Sequence, residues 1–205
     1  DIEKKMLSYN ESLKILKETK TLLEGHFVLS SGLHSNQYVQ CAKLLSHPKQ
    51  GQIICKSLCE KIKSNFSNID LILSPAIGGI VVGYEVGRQL NVNTIFSERV
   101  DGNLLLRRGF DIKANSKVLI VEDVITTGKS ALECFDIIKL YKANLLGFAC
   151  IIDRSDEKIL IKDKIVSQIK LNIETFSEND LPDKLKKINP SKPGSKNLSK
   201  WNVLD

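Results

Sequence analysis

The sequence predicts an α/β protein with its functional residues at the carboxyl ends of buried strands. Three stretches carry that prediction. Val118–Val121 is an unbroken apolar run of strand length, as a strand buried on both faces requires. It leads through a polar turn into a helical apolar pattern at Ala131, Cys134, Phe135 and Ile138. Asp70–Leu73 leads in the same way through Ser74–Gly79 into a helical pattern at Ile80, Val81, Tyr84 and Leu90, and Leu146–Ile152 reads as another buried strand. Ligands of open α/β sheets bind beyond the carboxyl ends of the strands. The polar residues that follow each run are therefore the candidate site.

At 205 residues the chain fits one domain with a substantial core, and it shows neither an internal repeat nor a second-domain boundary. An apolar content of 42% and a charged content of 26% are ordinary for a soluble globular protein. The net charge of +6 suits an anionic ligand. It also permits nucleic acid, but the lysines are scattered and no aromatics interleave with them, so no nucleic-acid partner is expected. Cys41, Cys55, Cys59, Cys134 and Cys150 are odd in number and lack zinc-ligand spacing, so they read as reduced core residues of a cytosolic protein. No signal peptide and no apolar run of membrane-spanning length is present, which points to a cytoplasmic protein without a membrane partner. The chain begins at Asp1 rather than Met, so native residues are expected ahead of it.

Taken in order, Glu11–Lys20 has the pattern of an amphipathic helix. Gly25–Tyr38 alternates apolar and polar residues around a Ser30-Ser31-Gly32 turn, which predicts a hairpin. It carries His26 and His34, read as hydrogen-bonded structural groups because no catalytic partner is in view. Pro48–Ser64 reads as a helix with Pro48 in its first turn and Ile54, Leu58 and Ile62 on one face. Gly78 and Gly79 let backbone amides approach a ligand closely. Val92–Ser97 is the next strand. Glu98–Phe110 turns at Asp101-Gly102-Asn103 between extended arms and places Arg99, Arg107 and Arg108 on a projecting hairpin. Arginine forks match phosphate oxygens; a solvated ribbon with one apolar face is the plainer reading. Asn144 lies near a helix end, and Leu146–Ile152 ends in Asp153-Arg154-Ser155. Ile165–Phe176 reads as one further strand region, and the tail from Asn189 is turn-rich through Lys192–Lys196.

The central motif is V-L-I-V-E-D-V-I-T-T-G-K-S, Val118–Ser130. Glu122 and Asp123 stand where the apolar strand ends. Thr126, Thr127, Gly128 and Ser130 form a turn at a helix N-terminus, which offers free N–H groups and a positive dipole to a phosphate. Two acids beside a phosphate cradle would repel the ligand unless they bind sugar hydroxyls or a divalent cation. A P-loop would need glycine where Asp123 stands, so that alternative is rejected.

This motif closely resembles the signature of type I phosphoribosyltransferases, which bind 5-phosphoribosyl 1-pyrophosphate (PRPP). Gly25–Tyr38 resembles the N-terminal segment of the orotate phosphoribosyltransferases, where it forms part of a hood over the base. Asp153-Arg154 is similar to the pair whose arginine holds the orotate carboxylate in that family. The tail's Pro-Gly-Ser-basic ending also occurs in one of its branches. Three departures stand out: Ser30 replaces a lysine common in the hood turn, Ile77-Gly78 replaces a Tyr-Lys found in some members, and the Glu98–Phe110 loop lacks the two lysines and the histidine of the better-known version.

The resemblance implies a central, mostly parallel sheet flanked by helices, with a flexible flap. It also implies a hood from about 20–45 and 156–205 over a core of about 46–155. The implied reaction is transfer of the phosphoribosyl group of PRPP to orotate, giving orotidine 5'-monophosphate and pyrophosphate for UMP synthesis. A fused decarboxylase is not expected at this length. By the same resemblance Val124, Ile125, Thr126, Thr127, Gly128, Lys129 and Ser130 bind PRPP, with Thr126 to Ser130 cradling its 5'-phosphate. Glu122 and Asp123 hold the ribose hydroxyls directly or through water on Mg2+, with no direct protein ligand to the metal. Ala76, Ile77, Gly78 and Gly79 line pyrophosphate, in a loop that in the family often has a strained non-proline peptide, and Arg99, Arg107 and Arg108 close over it. Thr126, Arg154, Phe27 and Tyr38 face the orotate. A homodimer is implied, with the flap shared between subunits. A purine-type phosphoribosyltransferase and an RNA-binding regulator of pyrimidine genes are the alternatives on the same fold. The hood stretch and Arg154 argue against the first.

Overall fold

The computed structural model describes residues 6–193. Helix α1 (Tyr9–Glu18) starts two residues before the apolar pattern does, because Ser8 caps it. The Ser8 Oγ accepts from the Glu11 N–H at 3.2 Å, and the Glu11 carboxylate accepts from the Ser8 N–H at 2.8 Å. This reciprocal box satisfies two otherwise orphaned donors. Strands β1 (Leu22–Val28) and β2 (His34–Val39) form the expected hairpin. Next come α2 (Cys41–Leu45), α3 (Pro48–Asn65), β3 (Leu71–Pro75), α4 (Gly78–Leu90), β4 (Thr94–Val100), β5 (Asn103–Leu106) and β6 (Lys117–Ile125). The described chain finishes with α5 (Lys129–Leu140), β7 (Asn144–Asp153), β8 (Ile165–Lys170), β9 (Thr175–Phe176), a 3-10 turn at Glu178–Asp180 and α6 (Asp183–Lys186).

The central sheet has the order β5-β4-β3-β6-β7-β8, and every neighbouring pair is parallel except β4–β5. Val118, Leu119, Ile120 and Val121 are fully buried in β6, as an unbroken apolar run demands. Leu119 and Val121 join a core with Leu58 and Ile62 of α3 and Val82 and Val86 of α4. Ile120 joins a second core with Ala131, Cys134 and Ile138 of α5 and Phe148 of β7. The sheet is thus covered on both faces, and all five cysteines are buried and unpaired.

A second, three-stranded antiparallel sheet has the order β1-β2-β9. It joins the N-terminal hairpin to the C-terminal part of the chain, as the expected hood does. Ser191 extends this contact: its N–H donates to the His26 carbonyl at 2.9 Å, and its own carbonyl accepts from the Val28 N–H at 2.8 Å.

Four boundaries differ from expectation. Strand β6 does not stop at Val121 but continues through Glu122 and Asp123, because β7 pairs with it as far as Ile125 opposite Asp153. Ile165–Phe176 is two strands in different sheets, and β7 opens at Asn144, just past the end of α5, two residues before the expected Leu146. The Asp101-Gly102 turn has both residues at positive φ (48° and 85°), the geometry that matches strand twist in tight hairpins. The hairpin it closes is the edge of the central sheet and does not stand apart from it, since Leu104 is buried against the α5 core. The Gly194–Lys196 part of the tail turn, and the expected hood beyond residue 193, lie outside the described residues.

Phe148 is fully buried between β6, β8 and α5. Phe148→Ala is expected to lower the unfolding free energy by about 3–5 kcal/mol. Exposed Lys14→Ala should change it by less than about 0.5 kcal/mol. Urea denaturation midpoints of the two variants check this.

Candidate functional site

The parallel register of β3, β6 and β7 brings their carboxyl ends side by side, with α4 and α5 starting just beyond. After β6, Thr126 and Thr127 are exposed and Gly128 caps α5 with φ +82°, a conformation that favours glycine. A second constraint acts at the same position. A Cβ on Gly128 would lie 2.7 Å from Ile161 Cγ1. Ile161 is buried over the turn, and the Leu160 N–H donates to the Thr127 carbonyl at 3.0 Å. The turn is therefore shaped from above as well as by its own residues. Between the strand end at Glu122 and the turn through Ser130 lies an open cavity of about 180 Å³. That is several times the ~30 Å³ that one water molecule occupies, so it admits a phosphate-sized group.

The two acids are adjacent in sequence but serve different sides of β6. Asp123 lies against the start of α4, where a Cβ on Gly78 would come within 2.6 Å of Asp123 Oδ2. Its Oδ1 accepts from the Val124 N–H at 2.9 Å. Glu122 instead feels Glu133 of α5, and its Oε1 is buried with no hydrogen-bond partner among the described residues. Burial, reinforced by the charges of Asp123 and Glu133, pushes the Glu122 carboxyl up from 4.5 to about 8. Burial also raises Asp123, opposed by its backbone hydrogen bonds. One buried and one half-buried carboxyl suit hydroxyl donors or a hydrated cation.

The Ala76–Gly79 loop follows β3 across from this pair. The Ala76–Ile77 peptide is cis. Ala76 N–H donates to the Ser97 carbonyl at 2.7 Å, and the Ile77 side chain is 85% exposed. Gly78 leaves Asp123 the space it occupies, so the loop and this one acid meet at one point.

Beyond β7, the Arg154 N–H donates to the Ile125 carbonyl at 2.8 Å, which ties this corner to the central motif. Asp153 does not pair with Arg154. It accepts from the Ser155 N–H at 2.8 Å and faces Lys170 at 3.7 Å, while Asp156 accepts from the Lys158 N–H. The Arg154 Nε is buried without a partner among the described residues, and burial lowers its pKa, with Tyr38 acting against that. The Tyr38 ring lies 5.8 Å from that of Phe27, which is buried. Phe27, Tyr38 and Arg154 thus lie near one another where the N-terminal hairpin meets the sheet.

The three hairpin arginines do not gather. Arg99 reaches Glu133 of α5 at 2.5 Å, and Arg108 makes a two-pronged bond to Glu98 at 2.6 and 2.7 Å. Arg107 is exposed and makes no side-chain hydrogen bond or ion pair among the described residues, though its charge joins that of Arg108 in lowering the Glu98 carboxyl. Glu133, Glu98 and the Leu160–Ile161 clasp were not picked out from the sequence. For the clasp a signal existed: Ile159-Leu160-Ile161 is an apolar trio inside an otherwise charged loop.

Among the described residues, no cluster of three or more metal-ligating side chains exists, and no helix is long and apolar enough to cross a membrane.

Known proteins resemble this chain in sequence and in fold. The family model described as "Phosphoribosyl transferase domain" matches residues 42–182. An orotate phosphoribosyltransferase of Caldicellulosiruptor saccharolyticus is 45% identical, over 91% of this chain and 96% of its own. One from Chlorobium phaeobacteroides is 46% identical, again over 91% and 96%. Among solved structures, the orotate phosphoribosyltransferase of Aeropyrum pernix superimposes with a TM-score of 0.68 at 21% identity, over 77% of this chain and 92% of that one. The adenine phosphoribosyltransferase of Thermoanaerobacter pseudethanolicus gives 0.57 at 16% identity, over 66% and 88%. At such identities these structures speak to the fold.

The raised Glu122 carboxyl has a consequence for stability. It keeps its proton in the folded chain where the unfolded chain has lost it, so its contribution makes stability fall as pH rises from 4.5 to about 8. Glu122→Gln should match the parent near pH 5 and exceed it by about 1–3 kcal/mol near pH 8.5. Urea midpoints at the two pH values check this; an equal difference at both would contradict it.

Proposed function

The chain belongs to the phosphoribosyltransferase family, and on that premise we propose that it transfers the phosphoribosyl group of PRPP to orotate, giving orotidine 5'-monophosphate and pyrophosphate. The observation that carries the choice of base is the identity of about 45% with orotate phosphoribosyltransferases over 91% of the chain. The half-buried Arg154 beside Tyr38, its Nε buried and unpartnered among the described residues, supports it, because a guanidinium without a counter-ion suits a carboxylate-bearing base.

In this reading the Thr126–Ser130 turn and the first amides of α5 hold the 5'-phosphate. Glu122 and Asp123 bind the ribose hydroxyls from two sides. Ala76–Gly79 lines the pyrophosphate, and Arg107 stabilises it as it leaves. Arg99 and Arg108, engaged with Glu133 and Glu98, brace the hairpin. Arg154 and Thr126 orient the orotate under Phe27 and Tyr38. No side chain need act as a strong base, since orotate brings an acidic N–H of its own. The chain's contribution is positioning and charge complementarity.

Mg2+ fits this donor set. The cation would be held chiefly by substrate oxygens and water, with Asp123 and the unpartnered Glu122 oxygen beside it accepting from or donating to that water and no direct protein ligand to the metal. When bound, it would neutralise charge on pyrophosphate.

The chain works as one unit in the cytoplasm, with about residues 20–45 and 156–193 of the described chain as hood and about 46–155 as core. A homodimer is part of the proposal. Ile77, Val81 and Tyr84 form an apolar row along α4 and are 85%, 52% and 67% exposed. Such a row suits burial against a second copy.

The decisive assay is the fall in orotate absorbance on adding PRPP and Mg2+, with and without a chelator. Consumption that needs both is expected; substitution of adenine or hypoxanthine for orotate should give none. Arg154→Ala should raise the orotate KM by about 10- to 100-fold, the value of one charge-assisted hydrogen bond of about 1.5–3 kcal/mol. Arg107→Ala should lower kcat by a similar factor, and Arg99→Ala by clearly less. Equal losses in these two variants would remove Arg107 from its special role.

A further inference from the structure

The reaction leaves two buried histidines unused, and they are bonded to each other inside the hood. His26 and His34 are 4% and 8% exposed. His26 Nε2 lies 2.7 Å from His34 Nδ1, and His26 Nδ1 lies 2.8 Å from the Ile188 carbonyl oxygen. A carbonyl oxygen only accepts, so the His26 Nδ1 carries the proton in that bond. With both rings neutral, His26 Nε2 is then bare and accepts, and His34 Nδ1 donates to it. The relay runs one way, from His34 through His26 to Ile188. It ties together β2, β1 and the segment that follows α6.

Those three segments frame the aromatic wall of the hood. Phe27 follows His26 directly. It is bracketed by the Ser191 N–H on the His26 carbonyl and the Val28 N–H on the Ser191 carbonyl, at 2.9 and 2.8 Å. Tyr38, whose ring meets that of Phe27, lies on the strand that His34 opens. Both rings are therefore carried by the two strands that the relay cross-links, and Tyr38 is the phenol that Arg154 feels.

We propose that His26 and His34 are positioning residues: their one-way relay to Ile188 sets the placement of Phe27 and Tyr38, and thereby the fit of orotate, without touching the substrate. The proposal rests on the orotate reading above. The Thr126–Ser130 turn belongs to the other sheet, so PRPP binding should not depend on the relay.

The test is steady-state kinetics of His34→Leu and His34→Asn. Leucine removes the donor, whereas the asparagine amide places an N–H near the position of Nδ1. His34→Leu is expected to raise the orotate KM about five- to tenfold, the span of an ordinary neutral hydrogen bond. The PRPP KM and kcat should stay within about twofold, and His34→Asn should restore the orotate KM. An unchanged orotate KM in His34→Leu, or equal rises in both KM values, overturns the proposal. Should the leucine variant not fold, 15N spectra of the parent's histidine rings decide it: both rings protonated at Nδ1 is the expected result, and a His26 protonated at Nε2 overturns it. A parent that consumes no orotate removes the reading beneath the proposal, whereas an active parent with an unaffected His34→Leu removes the proposal alone.

Discussion

The central sheet depends on β6 being buried between β3 and β7. Its apolar run is covered on one face by α3 and α4 and on the other by α5. Parallel pairing on both sides aligns the carboxyl ends of the three strands, so one edge of the sheet receives the acid pair, the Ala76–Gly79 loop and Arg154. Backbone pairing with β7 also explains how Glu122 stays buried. The ladder continues past the last apolar residue and carries a carboxyl inside with it. The cost of that burial appears as its raised pKa.

Polar groups held without partners mark where the fold is incomplete by itself. Glu122 Oε1 and Arg154 Nε are both buried and unsatisfied among the described residues, one near the carboxyl end of β6 and the other just past the end of β7. Stability alone would not retain them, since such groups usually find hydrogen bonds in folded chains. One is acidic and one basic, which matches a ligand with hydroxyls at one end and a carboxylate at the other. By contrast Asp153, Glu98 and Glu133, equally charged, have partners in the chain and hold structure.

Much of this was legible in the sequence because it is local. Apolar runs announced the buried strands, and the Thr126–Gly128 turn announced its helix. What was not legible depends on distance. The apolar pattern ended β6 at Val121 because a strand's length is set by its neighbours, and β7 pairs four residues further. The three hairpin arginines looked equivalent, yet Arg99 meets Glu133 from the far side of the sheet's β6 crossover. His26 and His34 were rightly expected to be structural, but the carbonyl that orients them belongs to Ile188, at the other end of the described chain. The hairpin seemed to project because its leucines were read without α5, against which Leu104 packs.

The contact between Gly128 and Ile161 extends beyond local geometry. The isoleucine's side chain occupies the space that any side chain at 128 would claim, and the two residues sit in segments separated along the chain by α5 and β7. They therefore behave as one heritable unit. A lineage that enlarges residue 128 must first shrink residue 161 and also tolerate a strained turn, whereas one that shrinks residue 161 alone loosens a turn whose own letters are unchanged. Variants of the 156–164 loop can thus mimic lesions of the central motif while every letter of that motif remains intact.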